Sequence, residues 1–298
     1  MDLRAVAAGV AFGIMWASAF TSARVIVTYA PPLTSLCLRF LISGLAGVLI
    51  AKALGQSWRL TRRQWSAVVI FGVCQNAIYL GANFMAMRTV EASLAAIIAS
   101  AMPLLVAGVS WAQGARLPLQ GVLGLVAGIA GVALIMGSRV SGGADLAGVA
   151  LCILGVLSLT VATLSVKGAS SGGDFLMIVG LQMLVGAAAL AGPAVVSEAL
   201  VIDWSWQLVA AFVYTTIVPG VLATVTWVWL VNRIGAVRAA VYHFLTPFFG
   251  VSIAAILLGE RIGPADLVGV AVIAGGILAV QLSKQKGQAE APTSAALR

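Results

Sequence analysis

LTPFFGVSIAAILLGERIGPADLVGVAVIAGGILAV, residues 245–280, is two apolar runs separated by one polar break at Gly259-Glu260-Arg261. With its flanks, each run approaches the roughly 20 residues a helix needs to cross a hydrocarbon core. Pro247 interrupts the first run, and Gly269 and Gly276 mark the second. The same marks occur earlier in the chain. Met102-Pro103 stands 144 residues before Thr246-Pro247, and Gly124 and Gly131 stand 145 before Gly269 and Gly276. Leu38-Arg39 aligns in the same way with Leu181-Gln182. The chain reads as one unit written twice.

The rest of the sequence fits that reading. Of 298 residues, 61% are hydrophobic and 9% charged, and the mean hydropathy is +1.09. A soluble domain carries roughly 25% charged residues, so this chain cannot cover a soluble surface. Apolar blocks lie near 5–27, 33–54, 65–87, 92–113, 119–138, 146–167, 175–196, 207–231, 236–258 and 265–283. The fold class is an all-α membrane protein of ten transmembrane helices. Residues 1–140 form the first five-helix repeat, 141–283 the second, and 284–298 a polar tail expected to be disordered. Because five is odd, the second repeat enters the membrane from the opposite side. Inverted repeats of this kind build transporters with substrate sites near the midplane.

Charge sets the expected orientation. The net charge of +8 would point to nucleic acid in a soluble protein, but here it records topology. Lys52, Arg59, Arg62 and Arg63 crowd one loop, while the loop with Glu198 and Asp203 has no positive charge. The bias places both termini in the cytoplasm. Cys37, Cys74 and Cys152 all sit in apolar blocks and read as packing residues.

Candidate functional residues are the polar and aromatic ones inside the spans. These are Trp16, Ser18 and Phe20 in the first, Asn76, Tyr79 and Asn83 in the third, Ser158, Thr160 and Thr163 in the sixth, and Tyr214, Thr215, Thr224 and Trp227 in the eighth. Asn76, Tyr79 and Asn83 share one helical face. Amides and hydroxyls meet an ammonium or carboxylate without net charge, and aromatic rings suit apolar bodies and cations. The same residues also serve as interhelical hydrogen-bonding groups in membranes. His243, the only histidine, reads as a neutral bridge between helices, a substrate contact or a proton carrier. Pro103, Pro247 and Pro219 each remove a backbone donor and are candidate hinges. Arg39 reads as an anchor that snorkels or pairs with Glu91, or as an attractor of a substrate carboxylate. All the acidic residues lie at span ends or in loops, which argues against a carboxylate-based proton pump. No catalytic constellation or metal-ligand cluster is present in the sequence.

YAPPLTSLCLRFLISGLAG, residues 29–47, resembles the second-helix motif of the EamA-type branch of the drug/metabolite transporter superfamily. Residues 245–280 resemble that family's closing motif: a proline in the ninth helix, Gly-Glu-Arg in the turn, and a glycine-spaced tenth helix. The first half departs from the motif, with Ala115 opposite Glu260 and Gln182 opposite Arg39. The resemblance implies a multi-pass exporter of the bacterial inner membrane. It further implies a cavity lined by helices 1, 3, 4, 6, 8 and 9, with helices 5 and 10 as a separate packing pair. Within the family the chain looks most like exporters of amino acids, aromatic ones in particular. Other cargo, such as drugs or nucleotide-type metabolites, and a non-transporting membrane subunit are the alternatives. The expected partners are a small-molecule substrate and the lipid bilayer, with no nucleic acid, no cofactor and no enzymatic activity. The chain is expected to be a monomer or a weak homodimer.

Overall fold

The computed structural model describes residues 2–165, 174–235 and 239–289. They form ten helices of spanning length: α1 (Leu3–Tyr29), α2 (Pro32–Ala53), α3 (Arg62–Ala86), α4 (Ala92–Ala112), α5 (Leu119–Ser141), α6 (Leu146–Ser165), α7 (Phe175–Ser197), α8 (Trp206–Ile234), α9 (Val241–Leu258) and α10 (Pro264–Ala289). The backbone of 284–289 is helical, which corrects the disordered tail expected from 284. The rest of that tail, and the expected span ends at 166–173 and 236–238, lie outside the described residues.

Local chemistry starts and stops these helices. Asp2 caps α1 by accepting the Ala5 N–H, and Thr61 with Gln64 forms a reciprocal capping box at α3. Ser205 caps α8 through the Leu208 N–H at 3.1 Å. Gly259 ends α9 in the left-handed region at φ 68°, a conformation that costs other residues more.

Two helix starts in the first half are capped by acids from the second. The Glu198 carboxylate accepts the N–H groups of Leu33 at 2.7 Å and Thr34 at 2.8 Å, at the start of α2. The Glu260 carboxylate accepts those of Ala92 at 2.7 Å and Ser93 at 2.9 Å, at the start of α4. A negative charge on unsatisfied N–H groups meets both their hydrogen-bonding need and the helix dipole. Glu260→Ala is therefore expected to lower stability by about 2 kcal/mol, read from SDS titration in mixed micelles. An unchanged midpoint would refute the cap.

Packing follows the repeat. Three helices lie directly against their own counterparts: α2 on α7, α4 on α9 and α5 on α10. In the last pair the backbones meet. A methyl added to Gly276 would sit 2.6 Å from the Gly124 carbonyl oxygen and 2.8 Å from the Gly128 Cα. In α2 and α7 the approach is looser, a methyl on Gly44 lying 3.0 Å from the Gly180 carbonyl oxygen. Small residues permit this approach where lipid supplies no hydrophobic drive between helices. The outer faces remain apolar, with Val196, Ile256 and Leu267 exposed, while α4 is the most enclosed span.

The two halves also share their irregularities. In α3 the backbone widens into a π turn over Gly72–Tyr79, and in α8 over Thr216–Leu222. These start 144 residues apart, the spacing of the prolines. Before Pro103, α4 tightens, with the Ala101 N–H donating to the Ile98 carbonyl at 3.1 Å. Before Pro247, α9 is a 3₁₀ turn over Val241–Leu245, and the Thr246 N–H donates to the His243 carbonyl. Each proline thus opens a new α segment at a position where its missing N–H costs little.

Candidate functional site: a cavity between α1, α2, α3 and α8

The π turns decide where the cavity lies. A π turn carries one more residue per turn than an α turn and leaves backbone groups short of partners. In α3 the Cys74 carbonyl accepts the Ser158 hydroxyl from α6 at 2.8 Å, and Asn76 Nδ2 donates to the Gln182 carbonyl of α7 at 2.9 Å. The widened turn is thereby pinned on two sides. Gln75, Asn76 and Tyr79 from that turn, and Pro219 and Gly220 from the turn in α8, line one cavity.

Counting its open mouth, the cavity holds about 730 Å³. Trp16, Ala19, Phe20 and Ala23 of α1, Arg39 and Phe40 of α2, Asn83 and Phe84 of α3, and Thr215 and Thr224 of α8 complete most of its wall. It runs from the middle of the bundle towards Met87, at the end away from the termini. Among the described residues no Asp or Glu lines it.

Of the residues singled out in the sequence, Trp16, Phe20, Asn76, Tyr79, Asn83, Thr215, Thr224 and Pro219 line this cavity. Ser18 and Tyr214 meet beside it, with the tyrosine hydroxyl donating to the serine at 2.8 Å. Thr160 and Thr163 of α6 lie elsewhere and donate to carbonyls of their own helix, Val156 and Leu159, both at 2.8 Å. Such back-bonding satisfies a hydroxyl without any ligand. Trp227 and His243 pack with Phe12 and Trp16 into an aromatic cluster, the imidazole centroid lying 5.3 Å from Phe12 and 5.2 Å from Trp227. Pro103 and Pro247 are buried in α4 and α9 and do not line the cavity. The lining thus differs from the helices the resemblance implied: α2 contributes, as does α7 through Met183, and α4, α6 and α9 do not. The reason is that α4 and α9 are consumed in packing on each other, with Gly250 seated against Ala96.

The aromatic cluster closes the end that carries the termini. Below it, Ala5, Leu230 and Ala239 form a small core with Tyr242 and Ile234 around it. Asp2 pairs there with Arg233 across α1 and α8, and that contact holds the Asp2 carboxyl below its usual range. At the far end Arg24 donates to the Met87 carbonyl, linking α1 to α3. Asp145 accepts the Thr89 hydroxyl at 2.7 Å and the Gly148 N–H at 3.0 Å, which lowers its carboxyl pKa as well. Arg139 binds Glu91 and takes Asp266 in a two-pronged contact at 3.1 and 2.9 Å.

Gln75 is a polar lining group that the sequence did not single out, and Arg39, read there as an anchor or as an attractor of a substrate carboxylate, lines the cavity beside it. Arg39 is 8% exposed, so it does not snorkel, and Glu91 is taken by Arg139. One signal was available in the sequence. No carboxylate stands three or four residues from Arg39 in its own span, where Ser35, Leu36, Ile42 and Ser43 lie.

Known proteins agree with this architecture. A model described as the EamA-like transporter family matches residues 3–137 and again 146–282. "Uncharacterized transporter YvbV" of Bacillus subtilis is 26% identical, over 92% of this chain and 90% of its own. "Uncharacterized transporter YoaV" of the same organism is 21% identical, over 89% and 92% respectively. A solved structure titled "Crystal structure of protein" is 21% identical. It covers 94% of this chain and 98% of its own with a TM-score of 0.63, and so shows a shared fold.

Proposed function

This chain belongs to the EamA-like transporter family, and from that premise we propose that it exports neutral, especially aromatic, amino acids and related small metabolites. It does so by alternating access across a bacterial inner membrane, with both termini in the cytoplasm. The observation that carries the cargo is the cavity wall. Aromatic rings of Trp16, Phe20, Phe40 and Phe84 stand with the uncharged amides of Gln75, Asn76 and Asn83, and no carboxylate is among them. Rings accept an apolar or aromatic body, and amide oxygens accept an ammonium. The Asn83 Oδ1 atom is buried without a donor, which leaves it free for that use.

Closure at the cytoplasmic end rests in this reading on the Phe12, Trp16, Trp227 and His243 cluster and on the Asp2–Arg233 pair. The cavity would then face the opposite side in the state described. The two halves rock about the tightened turns before Pro103 and Pro247 and the widened turn at Pro219, where helices already depart from α geometry. His243 acts in the plug, and Trp16 joins the plug to the binding wall.

Uptake into proteoliposomes with labelled neutral, aromatic, acidic and basic amino acids tests the cargo. Saturable flux of phenylalanine or tyrosine, competed by other neutral amino acids, is the expected result. Absence of flux for every amino acid, with and without a pH gradient, would overturn it.

A further inference from the structure

The lining contains one charge, and among the described residues that charge has no hydrogen-bond or ion-pair partner. Arg39 lies seven residues into α2, about 10 Å from its start at 1.5 Å per residue, and is 8% exposed. Its Nε is buried with no acceptor. Its one described contact is the neighbouring Phe40 ring, 5.3 Å from the guanidinium carbon. A guanidinium is effectively always charged, and an uncompensated charge inside a membrane protein is costly and marks function.

The protein had carboxylates to spend on it and spent them elsewhere. Asp2 is on Arg233, Glu91 and Asp266 on Arg139, and Asp145 on Thr89. Asp174 accepts the Ser57 N–H, while Glu198 and Glu260 cap α2 and α4. Space is kept beside the charge. Gly220 sits in the π turn of α8, and a methyl there would lie 3.3 Å from Arg39 Nη2. Across the cavity stand the rings and amides of the wall already described.

We propose that Arg39 is the anion subsite of this cavity and holds the single carboxylate of the cargo, which makes the substrate class organic monocarboxylates with an apolar or aromatic body. The inference rests on the reading of the cavity as the substrate site. A planar guanidinium fork matches a carboxylate with two parallel hydrogen bonds. One cation in the lining fits a monoanion; a phosphate dianion would call for more positive charge. The aromatic wall receives the body of the molecule.

The test compares an acid with its isosteric amide. Purified protein in detergent is titrated calorimetrically with 3-phenylpropionate and with 3-phenylpropanamide. The wild type is expected to bind the acid at least tenfold more tightly. Arg39→Gln is expected to level the two, and Arg39→Lys to keep part of the preference, because a point charge replaces a fork. Gly220→Ala retains the arginine and narrows the space at Nη2, so it is expected to weaken the acid more than the amide and to cut the ratio between them several-fold. That variant and the wild type decide the matter should Arg39→Gln fail to fold. Equal binding of acid and amide by the wild type, no binding of either, or an acid preference that survives in Arg39→Gln would overturn the subsite. The cargo proposal is judged separately. If labelled amino acids cross the membrane and Arg39→Gln moves them with unchanged KM, the subsite falls and the cargo stands. If acid is preferred over amide and no amino acid crosses, the cargo falls and the subsite stands.

Discussion

Replacing Gly276 by leucine is expected to abolish the folded protein, whereas the same change at the adjacent Gly275 is expected to leave it intact. The two glycines differ only in what they face. A Cβ at Gly276 would come within 2.8 Å of both the Gly128 backbone nitrogen and its Cα, and within 2.6 Å of the Gly124 oxygen. These are backbone atoms, so no side-chain rotation relieves the clash, and α5 and α10 would have to separate. A Cβ at Gly275 meets nothing within 4 Å and would add a leucine to the lipid-facing surface. Overpacking in a dense core costs about 1–3 kcal/mol per misfit and more against rigid backbone. The measurement is the monodisperse fraction in size-exclusion chromatography after detergent extraction. Equal yields for the two variants would refute the backbone contact between the repeats.

Arg139→Met is the second large effect. Its guanidinium joins α5 to Glu91 at the start of α4 and to Asp266 in the first turn of α10, and it reaches the Arg261 carbonyl at 3.4 Å. The Asp266 side chain is 4% exposed. Removing the arginine leaves that carboxylate enclosed with one partner, the Gly263 N–H at 2.7 Å. Breaking a buried pair by deleting one member costs about 3–5 kcal/mol, chiefly for the stranded charge. The expected loss is near the lower end, about 3 kcal/mol, because the α10 dipole partly supports Asp266. Asp266→Asn in the same background should recover part of it, since the stranded charge is then gone. The Arg233–Asp2 pair supplies a contrast. Its side chains are 42% and 36% exposed, and Arg233→Met should leave the SDS unfolding midpoint unmoved. Similar losses at both sites would show that burial is not what distinguishes them.

The overall plan was legible in the primary sequence because it depends on local quantities. A run of about 20 apolar residues spans a membrane wherever it occurs. Pro103 with Pro247, and Gly124 and Gly131 with Gly269 and Gly276, carry the duplication in their spacing. The packing of α5 on α10 that the resemblance implied is made by the same glycines, which meet backbone to backbone in the fold. The cavity face of α3 was legible too, because Asn76, Tyr79 and Asn83 lie on one side of a helix whatever it packs against.

Other features were settled only by contacts distant in the chain. Thr160 and Thr163 looked like Thr224 in sequence, yet only Thr224 lines the cavity; which wall a hydroxyl faces depends on how its helix is rotated in the bundle. Glu260 read as a turn marker, and its carboxylate caps a helix that begins at Ala92. His243 drew attention as the one imidazole, and its neighbours Phe12, Trp16 and Trp227 come from two other helices. Arg39 is the clearest case. Sequence alone placed a cation in the second span, where it could have snorkelled, met Glu91 or drawn a substrate carboxylate. The tertiary structure assigned Glu91 to Arg139 and set Gly220 beside Arg39, leaving the cation unpaired. Hydrophobic length and repeat spacing are properties of the chain itself, whereas the partner of a buried charge is a property of the packing.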